Sequence, residues 1–260
     1  MFTIAEYARY LLRSGHRKGH GIHGPFLFDV ISRIFQNKID PGIVFKIEAI
    51  RKKMVNDSHL INFCDYGSGS GKMKSDKRKV SDIAKNSSVP EKYCYLLSRL
   101  SSVFGQPLIV EFGTSLGIST MYLALSCPEA TVYTMEGCSA ASEIACSNFG
   151  EAGISNIKQL NGRFEEIFPE IRRLGICPGL VFIDGNHRKE PTIRYFNALA
   201  DVSAGSTVII IDDIHSCDEM EEAWSVIKDH NRVSVTVDIF RMGLVFFREG
   251  ISRQHYIIRY

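Results

Sequence analysis

The stretch PLIVEFGTSLGISTMYLALS, residues 107–126, decides the fold class of this chain. PLIVEF (107–112) is an apolar run that reaches an acid, as a strand buried in a parallel sheet does. ISTMYLALS (118–126) reads as the helix that follows it. Working outward, the alternation repeats. TVYTME (131–136) is a strand, SAASEIACSNFG (139–150) a helix closed by Gly150, NIKQLNG (156–162) a strand, and RFEEIFPEIRRL a short helix. GLVFID (179–184) and STVIIIDD (206–213) are the most apolar strands, separated by a helix around 192–202. DEMEEAWSVIKDH (218–230) is amphipathic, with Met220, Ala223, Trp224 and Ile227 on one face. VSVTVDIF and MGLVFF, separated only by Arg241, predict an antiparallel hairpin at the sheet edge. The pattern predicts an α/β fold: a doubly wound, mostly parallel seven-stranded sheet with that C-terminal edge hairpin.

Residues 1–104 predict a mostly helical segment, with helices at 2–13, 25–36, 42–56, 80–87 and 91–104. The organisation expected is therefore a helical N-terminal segment, 1–104, on the lid or acceptor side, and an α/β domain, 105–260. Charge divides the same way. The first 104 residues hold 18 Lys and Arg against 9 Asp and Glu, whereas 105–260 hold 13 against 20. Basic residues that only keep short helices soluble account for this; an anionic acceptor or nucleic acid drawn to the N-terminal part is the sharper and less favoured reading. MFTIAEYARYLLRSG carries Glu6 and Arg9 among its apolar residues and reads as an amphipathic helix rather than a signal peptide. No apolar run approaches the roughly 20 residues of a membrane span. The seven cysteines are scattered and form no C-x-x-C pair, which argues against a zinc site or disulfide framework and for a reducing cytoplasm.

Two glycine loops compete for a cofactor. CDYGSGSG (64–71) is followed by the charged KMKSDKRK, which does not pack as a helix behind a buried strand, so it reads as an exposed turn or lid. EFGTSLGIS (111–119) follows a buried strand and opens an apolar helix. The next strand ends on Glu136. Gly113 lets the backbone turn and approach a ligand, and Gly117 allows close packing where helix N–H groups face a carboxylate. Glu136 suits the two hydroxyls of a ribose. Thr114, Ser115 and Gly137 stand on the same two loops as candidate cofactor contacts. The spacing is E-x-G-x-x-x-G rather than the G-x-G-x-x-G of dinucleotide enzymes, which disfavours a nicotinamide-dependent oxidoreductase.

With VEFGTSLGIST, VYTMEG, LNGRF, VFIDGNH and VIIIDDIH in this order, residues 106–248 resemble the class I S-adenosylmethionine-dependent methyltransferases, in particular the catechol O-methyltransferase-like branch. HGIHGPFLFD, RKVSDIAK and DYGSGS in residues 1–104 resemble the N-terminal extension of an uncharacterised group of bacterial methyltransferases, mainly from Bacteroidetes. The resemblance implies a Rossmann-like domain in which Gly113 and Gly117 line the methionine part of S-adenosyl-L-methionine. It implies Ser119 near the carboxylate, Glu111 near the amino group and Glu136 on the ribose. Gly162, Arg163 and Phe164 would flank the adenine, although Arg163 stands where relatives often carry a small or acidic residue.

Later strand ends carry the remaining candidates. Asp184 ends one strand, and Asp212 and Asp213 end its neighbour. Neighbouring strands lie about 4.8 Å apart, so these carboxylates can share one hard cation. The metal-dependent branch binds magnesium here; Asp213 replaces its asparagine. The other reading is that Asp184 contacts the cofactor and the Asp pair caps a helix. His187 stands where catechol-type enzymes place a lysine base, and at its ordinary pKa would serve as general base together with Asp184. His215 is a weaker candidate ligand or acceptor contact, and His16, His20 and His23 sit in a basic Gly-rich loop. The functional expectation is methyl transfer to oxygen of a small-molecule acceptor with divalent-metal assistance. The alternatives are an RNA or other anionic acceptor, or a non-catalytic S-adenosylmethionine-binding module.

Overall fold

The computed structural model describes residues 4–14, 24–64 and 77–260. The loop bearing His16, His20 and His23, and positions 65–71 of the first glycine loop, lie outside them. The elements in chain order are α1 (Ile4–Arg13), α2 (Pro25–Gln36), α3 (Pro41–Val55), β1 (Leu60–Asn62), β2 (Lys77–Lys79), α4 (Val80–Asn86) and α5 (Glu91–Phe104). The alternating part follows: β3 (Leu108–Phe112), α6 (Ile118–Ser126), β4 (Thr131–Glu136), α7 (Ser139–Glu151), β5 (Ile157–Asn161) and α8 (Phe164–Arg173). It continues with β6 (Leu180–Ile183), α9 (Lys189–Val202), β7 (Val208–Ile211), α10 (Asp218–Asp229), β8 (Val235–Asp238), β9 (Gly243–Phe246) and β10 (Gln254–Ile257). The fold is mixed α/β with a mostly parallel sheet of eight strands, β3 to β10. Among the described residues no helix is long and apolar enough to cross a membrane.

Compactness divides the chain at other points than 104/105, into Lys38–Ile176 and a second unit of Met1–Asn37 with Cys177–Tyr260. In Lys38–Ile176, β3, β4 and β5 run parallel, with Glu111 opposite Thr134 and Glu136 opposite Asn161. Every residue of β3 is buried, as its unbroken apolar run requires. α5 lays Leu96, Leu97 and Leu100 into the core, and its buried Ser101 hydroxyl donates to the Leu123 carbonyl of α6 at 2.6 Å. Asp40 caps α3 by accepting from the Gly42 N–H at 2.7 Å, with Pro41 in the first turn. The glycine that closes α7 is Gly153, at φ 66°, and not Gly150, which remains helical. Ile154 N–H donates to the Phe149 carbonyl and Gly153 N–H to that of Gly150, the paired bonds of a left-handed helix stop.

In the second unit the strand order is β10-β8-β9-β7-β6. β6 and β7 are parallel, β9 is antiparallel to both β7 and β8, and β10 runs parallel to β8. The β8–β9 hairpin is present as expected, but it is not the edge, because β10 lies outside it and makes the eighth strand. QHYI is half-buried and mixes polar with apolar residues, so it lacks a strand's alternation; Thr236 and His255 join across the pair at 2.8 Å. Met220, Ala223, Trp224 and Ile227 form the buried face of α10. The Trp224 ring lies against Gly243, where a Cβ would meet it at 2.6 Å. Tyr10 of α1 donates to the Ile258 carbonyl at 2.6 Å, and Phe26 of α2 packs edge-on against Phe246.

Candidate functional site

The loop between β3 and α6 is built around two acids. Glu111 is fully buried, and its Oε2 accepts hydrogen bonds from the hydroxyls of Thr120 and, at 2.7 Å, Thr134. Thr134 reaches it because it is the register partner of Glu111 on β4. The Thr114 and Thr134 hydroxyls also join at 2.6 Å. Such a network holds a buried carboxylate that would otherwise be costly to desolvate. After Glu111 the chain turns away: Gly113 has φ 102°, and the N–H groups of Gly113 and Thr114 both donate to the Met135 carbonyl.

Ser115 adopts a left-handed φ of 48°, which costs a non-glycine residue backbone strain. Its N–H donates to Glu136 Oε2 at 2.7 Å, while Cys138 N–H donates to Oε1 at 2.8 Å. Glu136 is thereby aimed by two backbone groups. Each carboxylate oxygen carries two lone pairs, the accepting capacity that a pair of ribose hydroxyls calls for. The Ser115 hydroxyl is buried with no hydrogen-bond partner among the described residues. Gly117 opens α6 at φ 85° with no side chain capping the helix start, and Ser119 stands in the first turn, nearly buried. An uncapped helix N-terminus, an unmatched hydroxyl and an acid at the next strand's end fit the carboxylate and ribose of S-adenosylmethionine. Gly117 has a second reason to be glycine: a Cβ there would meet Phe149 Cε1 at 2.5 Å. Gly162, at φ 147°, donates to the Glu136 carbonyl, and Phe164 packs edge-on against Phe112. Arg163 is exposed at the start of α8. Gly137 separates Glu136 from Cys138, whose N–H the acid engages.

The second unit carries the other candidates. Ile183 and Ile211 are register partners, and Asp212 N–H donates to the Ile183 carbonyl, so Asp184 and Asp212 follow adjacent strand ends. Asn186 turns the backbone at φ 57°, a conformation that asparagine tolerates, and its amide donates to the Tyr195 hydroxyl at 3.2 Å. That turn returns His187 to Asp184, with Nε2 3.4 Å from Oδ1. Burial lowers the His187 pKa, but the hydrogen bond and charge of Asp184, with Asp213 and Asp212 behind it, prevail and push it up to about 9. His187 is therefore an imidazolium at neutral pH, not the neutral base its ordinary pKa predicts.

Asp212 is fully buried, and Arg241 grips it with both oxygens engaged: Nε lies 2.9 Å from Oδ1, and Nη2 2.7 Å from Oδ2. The same Nη2 lies 3.4 Å from Asp213 Oδ1. Burial and the charge of Asp213 push the Asp212 carboxyl up while Arg241 opposes them; Arg241 itself is held firmly protonated by the acids around it. The three acids expected to share a cation thus have a guanidinium among them. Among the described residues no three His, Cys, Asp or Glu side chains group so as to hold a metal ion. A magnesium site at Asp184, Asp212 and Asp213 does not fit this arrangement, because both oxygens of its innermost acid already accept from Arg241.

His215, a weaker candidate ligand, is engaged on both ring nitrogens, by Glu221 at 3.0 Å and Asp238 at 2.8 Å. Burial lowers its pKa, and the hydrogen bonds and charges of Asp238 and Glu221 more than reverse the effect, so its pKa is raised. Sequence reasoning passed over Thr120, Thr134, Asp238 and Arg241. Two signals were available: Asp238 near the end of an apolar strand, and Arg241 as the only residue separating two apolar strands.

Residues 110–214 match a family described as methyltransferase domain. No curated protein sequence matches the chain. The fold is that of several solved structures. Cofactor-bound Rv0187 from MTB is 18% identical with a TM-score of 0.58, covering 85% of this chain and 96% of that one. The O-methyltransferase TomG of Streptomyces achromogenes, in complex with SAM, is 19% identical with a TM-score of 0.56, covering 85% and 95%. An O-methyltransferase from Bacillus cereus in complex with SAH is 18% identical with a TM-score of 0.55, covering 84% and 96%.

Proposed function

We propose that this S-adenosylmethionine-dependent methyltransferase transfers its methyl group to a hydroxyl oxygen of a small-molecule acceptor. The observation that carries the reading is the Asp184–His187 pair, an acid–base couple after a central strand end. Oxygen is a poor nucleophile until its proton leaves, and a paired histidine supplies the acceptor for that proton. Two structural relatives described as O-methyltransferases support the choice of oxygen.

When bound, S-adenosylmethionine supplies an electrophilic methyl on a sulfonium. The residues assigned to hold it are Glu111, Gly113, Thr114, Ser115, Gly117, Ser119, Glu136 and Gly137. Gly162, Arg163 and Phe164 are assigned to the adenine. Glu136 accepts the ribose hydroxyls, and the start of α6 with Ser115 and Ser119 donates to the carboxylate. Asp184 orients His187 and stabilises its protonated form. His187 takes the acceptor's proton in the fraction of molecules where it is neutral, a fraction that grows toward pH 9. Assignment to the catechol-type branch, and of residues 1–104 to the Bacteroidetes-type group, rests on sequence motifs. The reading also places the basic N-terminal 104 residues on the acceptor side and the protein, with its seven free cysteines, in a reducing cytoplasm.

The test is a screen of hydroxylated, amine and RNA acceptors that measures S-adenosylhomocysteine formation, with the product's methyl position assigned by NMR. Methylated phenols or alcohols, with a rate that rises to about pH 9 and falls strongly in His187→Gln, are expected. Methyl found on nitrogen, carbon or RNA would replace the reading. Binding of S-adenosylhomocysteine should slow tryptic cleavage at positions 72–79; an unchanged rate would remove the N-terminal segment from the acceptor side.

A further inference from the structure

We propose that Arg241 is a built-in cation that takes the place of a divalent metal between Asp212 and Asp213, so that methyl transfer proceeds without one. The inference takes its meaning from the O-methyl transfer reading, but its test does not depend on that reading. Arg241 acts here as a positioning residue, through Asp212, which it hydrogen-bonds, and Asp213, which its Nη2 faces at 3.4 Å.

The chain delivers Arg241 to this place by a dedicated turn. Between β8 and β9 the backbone reverses at Ile239–Met242, where Ile239 N–H donates to the Met242 carbonyl. Phe240 adopts φ 72°, an outlier for a bulky side chain, and persists because its N–H donates to Asp238 Oδ1 at 2.8 Å. Its ring stacks on His215, which is itself tied to Asp238 and Glu221. The Arg241 carbonyl accepts from the N–H of Ile214, the residue after Asp213. Backbone and side chain of Arg241 are therefore both fastened to the segment that follows β7. The contact is set by register, since Gly243 of β9 lies opposite Ile211 of β7.

The chemistry of the donor set points the same way. A guanidinium does not deprotonate in a protein, and its fork matches a carboxylate with two parallel hydrogen bonds. Magnesium needs oxygen ligands at about 2.0–2.1 Å in near-octahedral geometry. To reach Asp212 it would have to displace an ion pair of three hydrogen bonds on a carboxylate that no solvent reaches. What the metal would supply, a positive charge that fixes the acids and offsets their repulsion, Arg241 already supplies.

The full-length protein, stripped with chelator, is titrated with manganese by calorimetry and spin resonance, and melted with and without magnesium. Wild type is expected to bind no stoichiometric manganese and to melt at the same temperature with magnesium. Arg241→Ala vacates the two carboxylates and should bind one manganese about tenfold or more tightly than wild type; adding Asp212→Asn should abolish the gain. One equivalent of manganese on wild type, lost in Asp212→Asn, would overturn the inference, as would a folded Arg241→Ala with no gain. If Arg241→Ala does not fold, the neutral Arg241→Gln and the wild-type titration decide by the same criteria. S-adenosylhomocysteine titrated into the same samples reports separately on the methyltransferase site. Its failure to bind would sink the function without touching the metal result.

Discussion

Gly117→Ala probes the packing of the loop between β3 and α6 directly. At φ 85° an alanine pays the left-handed penalty of roughly 1–2 kcal/mol. Its Cβ would also sit 2.5 Å from Phe149 Cε1, 2.9 Å from Cζ and 3.3 Å from the Ala145 Cβ. The Phe149 ring is nearly buried and does not swing aside freely, so overpacking adds roughly 1–3 kcal/mol. The sum, about 2–5 kcal/mol, corresponds to a melting temperature about 4–20 °C lower for a chain of this size. The control is Gly150→Ala on neighbouring α7. That glycine is helical with no atom within 4 Å of a Cβ, so alanine there should stabilise by about 0.5–1 kcal/mol. Differential scanning calorimetry should give shifts of opposite sign. Combining Gly117→Ala with Phe149→Leu should recover the steric part and leave the backbone part, a favourable coupling in a double-mutant cycle. A Gly117→Ala protein melting within about 2 °C of wild type would refute the reasoning, as would zero coupling.

The remaining predictions concern the acids, the histidine and the second unit's core. Glu136→Ala should keep its circular dichroism and lose roughly 10- to 100-fold in S-adenosylhomocysteine affinity, because hydrogen bonds to a charged group contribute about 1.5–3 kcal/mol; unchanged affinity would mean that the ribose is held elsewhere. His187 has a folded pKa of about 9, above its unfolded 6.5, so its stabilisation is complete below pH 6.5 and is lost as pH rises through about 9. The melting temperature of wild type minus that of His187→Ala should therefore shrink across that window, and a difference constant from pH 6 to 10 contradicts the Asp184 pairing. Gly243→Ala drives a Cβ into the Trp224 ring at 2.6 Å and should cost about 1–3 kcal/mol, read from denaturant unfolding followed by Trp224 fluorescence. No change there would show that the ring is free to move.

What the sequence by itself determined is what local pattern carries. Apolar runs such as LIVEF and VIII, alternating with helix-period segments, require buried parallel strands joined by helices, because no other arrangement buries both faces of such runs. The same local reading located Gly113, Glu136, Asp184 and Asp212 at strand ends, since each lies within a few residues of its strand. Tertiary structure alone decided which groups those acids meet. Thr134 reaches Glu111, and Arg241 reaches Asp212, through strand register and strand order, and neither follows from periodicity. β10 escaped notice for a related reason: a half-buried edge strand needs few apolar residues and takes its identity from the strand it pairs with. Gly153 rather than Gly150 closes α7 because a helix end is settled by which carbonyls find donors. The charge state of His187 and the cation beside Asp212 were likewise not written in residue types. They arise where three carboxylates on adjacent strand ends are brought together, Asp212 fully out of water, and each nearby cation is held to offset them.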